Sequence, residues 1–112
     1  MARYQQGDVV IVNFPFTDVS QTKRRPALVI SNDLVNQTGD YLLVQITSMT
    51  KNDGLSLFIS NTDYKTDPLP LASFVRVHKV FLLNESLIVR KQTAVTSSFI
   101  QRLIDAINAL LQ

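Results

Sequence analysis

The sequence predicts a mainly β protein: a small barrel of six short strands with one helix packed at its C-terminal end. Three observations carry that reading. Short, apolar, β-branched runs recur between turn signals such as Gly39-Asp40 and Asp53-Gly54. Helical periodicity is confined to the end of the chain, where Phe99, Ile100, Leu103, Ile104, Ile107, Leu110 and Leu111 fall on one stripe. The length of 112 residues, with 46% hydrophobic and 18% charged side chains, supplies one core and not two, so residues 1–112 are expected to form a single domain.

Residues 8–14 read as a strand, and from Val9 to Phe14 it is almost continuously apolar, which suits a strand covered on both faces. Pro15 ends that strand, because proline cannot donate to a ladder. Residues 15–24 have no hydrophobic period and read as a polar loop closing in the basic run Lys23-Arg24-Arg25. Pro26 favours an extended Arg25, which places Arg25 at the entrance of a second strand over 27–31. Asn32 or Asp33 can cap one short helical turn before Gly39-Asp40 reverses the chain.

A third strand covers 41–47, and 55–59 is expected to return antiparallel to it across Asp53-Gly54. Residues 60–70 are loop. From 73 to 79 the residues alternate, with Phe74, Arg76 and His78 on one face and Val75 and Val77 on the other. Segments 80–83 and 87–89 add further strand around the turn Asn84-Glu85-Ser86. Thr96, Ser97 or Ser98 caps the helix, whose wet side carries Gln101, Arg102, Asp105 and Asn108.

Composition removes several classes of function. The absence of cysteine excludes disulfides, thiolate metal sites and a cysteine nucleophile, and a single histidine, His78, excludes a multi-histidine zinc site. Neither a metal nor a cofactor is expected. A net charge of +2 permits an anionic partner without requiring one. The N-terminal residues lack the apolar core of a signal peptide, and no apolar run is long enough to span a bilayer; a cytoplasmic protein that avoids membranes is expected.

The order and spacing of four motifs then point to a family: Gly7-Asp8-Val9, Phe14-Pro15-Phe16-Thr17, Arg25-Pro26-Ala27-Leu28-Val29-Ile30-Ser31 and Val44-Gln45-Ile46-Thr47-Ser48. With the hydrophobic segment 71–83 and the C-terminal helix, they resemble the MazF/PemK (Kid) toxins of toxin–antitoxin systems over nearly the whole chain. The resemblance implies an SH3-like barrel of the CcdB/Kid/MazF-like kind and sequence-selective cleavage of single-stranded RNA, including mRNA. It also implies a homodimer with the substrate groove across its interface, and neutralisation by a cognate antitoxin whose acidic, disordered tail fills that groove. Arg25 and Thr47 match the family positions implicated in cleavage. One departure stands out: where some relatives carry an acidic residue followed by glutamine or glutamate, this chain has Ser73-Phe74.

The residues themselves suit that chemistry. There is no glycine-rich phosphate loop and no serine in a nucleophile elbow, and a histidine-dependent triad would rest on His78 alone. A reaction that needs no protein nucleophile and no metal fits best, and RNA brings its own 2′-hydroxyl. Attack by that hydroxyl builds a dianionic, phosphorane-like transition state, for which a protein must supply orientation and aimed donors. Arg25 offers a planar fork of donors and Thr47 a hydroxyl.

Lys23 and Arg24 read as contacts to the RNA backbone or to an acidic antitoxin segment, and Thr17 and Ser48 as further RNA contacts. Phe74, Arg76 and His78 are expected to line the groove, with Phe74 stacking a base and His78 able to exchange protons. Each has a plainer reading: solvated charges at 23–25, turn residues at 47 and 48, a core phenylalanine at 74. Two other functions compete. A non-enzymatic gyrase inhibitor resembling CcdB would rely on a tryptophan-bearing C-terminus, whereas this chain has no tryptophan and ends Ala109-Leu110-Leu111-Gln112. A silent family member would bind RNA or antitoxin without cutting.

Overall fold

Val9, Val10 and Val12 are all fully buried in the first strand, so its two faces both need cover. The computed structural model, which describes residues 2–15 and 22–112, shows how that cover arises. The elements are β1 (Asp8–Pro15), β2 (Thr22–Val29), α1 (Asp33–Asn36), β3 (Asp40–Thr47), β4 (Ser56–Ile59), β5 (Ser73–Asn84), β6 (Ile88–Ala94) and α2 (Ser97–Ala109). The strands form one antiparallel sheet in the order β4-β5-β3-β2-β1-β6.

Because side chains alternate along a strand, two cores form on opposite faces. One holds Val9, Leu28, Val44 and Val75 beneath Phe99, Ile100 and Leu103 of α2. The other gathers Val10, Val12, Ala27, Val29, Tyr41 and Leu43, with Phe14 and Phe81 packed at its margin. Edge strands β4 and β6 do not pair with each other, but the segments that follow them do. Tyr64 bridges Val95, the Lys65 amide donates to the Ala94 carbonyl at 2.8 Å, and the Thr96 amide donates to the Asp63 carbonyl at 2.8 Å. The result is the expected mainly β, barrel-like fold with a C-terminal helix.

Capping follows the sequence. The Asn32 side chain accepts from the Val35 amide at the start of α1, and Thr96 Oγ1 accepts from the Phe99 amide at the start of α2. Gly7 adopts φ 97°, and a Cβ there would lie 3.3 Å from the Val95 carbonyl, so the turn into β1 has little room for another residue.

Four expectations are corrected. The basic run is not loop: β2 begins at Thr22, with Phe14 paired to Lys23, Asn13 to Arg24 and Val12 to Arg25. Cross-strand pairing with β1 overrides the polar local sequence, and Pro26 is tolerated because the β2–β3 ladder starts only after it, at Ala27. The fourth strand does not pair with the third. β5 lies between them, and Val75 pairs with Ile46 of β3 on one side and Leu57 of β4 on the other. Segments 73–79 and 80–83 are one strand of 12 residues, bent by an irregularity between the Ile46–Val75 and Val44–Val80 pairs. Finally, Leu110 and Leu111 are 47% and 79% exposed rather than part of the packed stripe. The last turn tightens there, with the Leu110 amide donating to Ile107 and the Leu111 amide to Asn108.

Candidate active site

The β2–β3 ladder sets the site. Its last pair is Ala27–Gln45, and the same register carried two residues further along each strand puts Arg25 opposite Thr47. Residues two apart share a face. Arg25, Ala27, Gln45 and Thr47 therefore project on the same side of the sheet as the second core.

Arg25, Pro26 and Thr47 line both of two neighbouring clefts and so form the ridge the clefts share. The first, of about 430 Å³, has an apolar floor that includes Val12, Phe14, Ala27 and Phe81, and a rim with Lys51 and Lys79. The Phe14 and Phe81 rings meet edge to face, 5.1 Å between centroids at 77°. The second cleft, of about 390 Å³, is lined by Ser48, Leu71, Ser73, Arg90 and Gln92 among others. Every charged side chain that lines either cleft among the described residues is cationic. A net charge of +2 over the chain thus conceals a local concentration of positive charge.

Thr47 Oγ1 accepts a hydrogen bond from the Met49 amide at 3.1 Å. That bond fixes the side chain and leaves the hydroxyl's own hydrogen for another acceptor. Arg25 is half-buried at the end of the ridge, held by its pairing with Val12. Arg76, also in the first cleft, is 5% exposed. Its guanidinium grips Asp53 with two bonds of 2.9 and 2.8 Å and donates to Ser56 Oγ at 2.8 Å. Hydrogen bonding to Arg76 holds the Asp53 carboxyl well below the usual carboxylate range, and Asp53 in turn raises Arg76. This pair ties the loop after β3 to β5 and fixes Arg76 where it lines the cleft.

The other predicted positions divide. Ser48 lines the second cleft, next to Thr47. Lys23 and Arg24 are exposed on β2 beside the ridge but line neither cleft. Phe74 packs on Phe58, 5.3 Å between ring centroids, and His78 is exposed on β5; neither lines either of these two clefts. The bend in β5 follows Arg76 and separates His78 from it, whereas Phe74 keeps the face of Arg76 and packs on Phe58. Thr17 lies outside the described residues. Ser73, at the position where some relatives are acidic, donates its hydroxyl to the Leu71 carbonyl at 2.8 Å and faces the second cleft. Sequence reasoning missed Gln45, Lys51, Lys79, Phe81 and Arg90, which reach the clefts from β3, β5, β6 and the loop after β3. Only the strand order brings them together.

A family model describing the PemK-like, MazF-like toxins of type II toxin–antitoxin systems matches residues 5–111. The chain belongs to this family. Solved structures agree on the fold of this PemK/MazF member. MazF from Deinococcus radiodurans, in its first crystal form, superposes with a TM-score of 0.77 at 22% identity, covering 96% of both chains. An endoribonuclease in complex with its cognate antitoxin, from a mycobacterial species, gives a TM-score of 0.77 at 18% identity over 96% of this chain and 94% of that one. The Mycobacterium tuberculosis toxin MazF-mt6 gives 0.73 at 15% identity, over 93% and 95% of the respective chains. No curated protein matches the chain. Among the described residues, no helix is long and apolar enough to cross a membrane.

Proposed function

We propose that this chain is a sequence-selective endoribonuclease toxin that cleaves single-stranded RNA by transphosphorylation, without a metal, at Arg25 and Thr47. One observation supports the reading: Arg25 and Thr47 both line the two neighbouring cationic clefts, on the ridge the clefts share. An RNA strand running from one cleft to the other lays a phosphodiester across that ridge.

The 2′-oxygen of the upstream nucleotide attacks the phosphorus, and the bond to the 5′-oxygen of the next nucleotide breaks. The products are a 2′,3′-cyclic phosphate and a 5′-hydroxyl. The 2′-hydroxyl proton passes to solvent, and the leaving oxygen takes one from water. Arg25 presents its fork to the non-bridging oxygens as their charge grows, and the Thr47 hydroxyl donates to the same group. Arginine stays protonated in proteins, so its part is electrostatic rather than proton transfer. His78, exposed and outside both clefts, has no part in the step. Nucleophile and leaving group both belong to the RNA, and the donors to the protein.

The same reading includes a homodimer, a cytoplasmic location where mRNA is available, and a cognate antitoxin. The mycobacterial neighbour is an endoribonuclease solved with its antitoxin, and clefts with a cationic lining suit an acidic peptide segment. Lys23 and Arg24, exposed beside the ridge, extend the basic track for either partner.

Mixed-sequence RNA incubated with the purified protein and a chelator, with the ends mapped, tests this function. Cyclic-phosphate termini at a recurring short sequence are expected. Intact RNA that nevertheless binds, with affinity falling about 0.7 log units per log unit of salt for each phosphate contact, would identify a silent member instead.

A further inference from the structure

We infer that the first cleft receives the base of one nucleotide flanking the cleaved bond, and that Gln45 reads it. This rests on the nuclease reading above and adds the residue that sets part of its sequence selectivity. Gln45 lies on β3 two residues before Thr47, about 6–7 Å along the strand and on the same face. A nucleotide whose phosphate sits over Arg25 and Thr47 has its base within that reach.

The cleft has the build of a base pocket. Its volume of about 430 Å³ lies within the range of small-molecule sites, its floor is apolar, and the edge-to-face pair Phe14–Phe81 offers an aromatic surface for stacking. Lys51 and Lys79 stand at the rim, where phosphates run. Gln45 is half-buried against this floor, and among the described residues its carboxamide has no hydrogen-bond partner. A half-buried carboxamide in an apolar-floored cleft is ready for a ligand that offers a donor beside an acceptor. The edges of nucleobases do this, and paired contacts from glutamine are an established means of base readout.

The variants Gln45→Leu and Gln45→Glu test the assignment, each compared with wild type by mapping cleavage in a randomised RNA. Leucine keeps the bulk and removes both polar groups, so preference at one flanking position relaxes by roughly tenfold or more. Glutamate accepts at both oxygens, so preference at that position moves toward guanine, whose N1–H and N2–H donate side by side. A third arm needs no variant: wild-type protein is given RNA in which each flanking base in turn lacks its exocyclic hydrogen-bonding group. Cleavage is expected to drop by about tenfold or more at one flanking position. Unchanged preference in both variants, or no analogue that slows the wild-type protein, overturns the role of Gln45 while leaving the nuclease reading intact. Absence of any cleavage by wild type overturns both. If one variant misfolds, the other decides the role of Gln45, and the analogue arm identifies the flanking position at which its preference must change.

Discussion

Replacing Thr47 by valine removes one hydroxyl and keeps the branched shape, so it separates what that group does for the fold from what it does for the reaction. In the fold the hydroxyl accepts one bond, from the Met49 amide at 3.1 Å, at an exposed strand end where water can take its place. Its loss is worth about 0.5–1 kcal/mol, the lower part of the range for a single hydrogen bond. Melting should fall by a few degrees at most. In the reaction, an aimed donor to a developing oxyanion is worth about 100-fold or more, which is about 2.7 kcal/mol of transition-state free energy. The loss in rate should therefore greatly exceed the loss in stability. Single-turnover cleavage of end-labelled RNA gives the first quantity and thermal denaturation the second. Thr47→Ser, which restores the hydroxyl, is expected within a few-fold of wild type. A valine variant that cleaves at nearly the wild-type rate, or a serine variant as slow as the valine one, would refute a donor role for Thr47.

Three further outcomes follow from the same structure. Asp53 has a folded pKa depressed by Arg76, so its contribution to stability is complete above the unfolded carboxylate pKa and is lost as pH falls through the lower folded value. The difference in melting temperature between wild type and Asp53→Asn should be constant above about pH 5 and shrink on acidification below about pH 4; a difference unchanged down to pH 2 would contradict the Asp53–Arg76 clamp. Phe99→Ala, at a fully buried position under α2, should cost about 3–5 kcal/mol in denaturant unfolding, whereas Leu111→Gln, at a side chain 79% exposed, should stay within about 0.5 kcal/mol of wild type. His78→Gln should cleave RNA within about twofold of wild type across pH 6–8, and a clear rate loss would return His78 to the mechanism.

Local sequence was informative wherever burial repeats with a fixed period. The apolar run of β1, the third strand and, up to Ala109, the helix beginning at Ser97 lie where their patterns place them, since two covered faces or one covered stripe leave a direct trace. Pairing leaves no such trace. Asp53-Gly54 does mark a turn, with Gly54 at φ 78°, but nothing near it says that β5 rather than β3 is the neighbour of β4. Lys23-Arg24-Arg25 has the composition of a loop and is strand because β1 offers it a partner. At the site, Arg25 and Thr47 stood out through the motifs around them, and both line the two clefts, although Arg25 lies inside β2 rather than at a strand entrance. The rest of the cleft lining was not legible, because Phe81, Lys79 and Gln45 are distant in sequence and meet only through the β3–β5 and β2–β3 ladders. His78 was grouped with Arg76 by an alternation that the bend in β5 interrupts, while Phe74 shares the face of Arg76 but packs on Phe58 of the neighbouring strand.

The proposal stands most directly on the guanidinium at position 25. Purified Arg25→Ala, shown by thermal melting to be folded, should cleave a single-stranded RNA containing the wild-type target sequence roughly 100- to 1000-fold more slowly than wild type under single-turnover conditions with chelator present. A folded variant whose rate stays within a few-fold of wild type would remove Arg25 from the site, and the two-cleft mechanism with it.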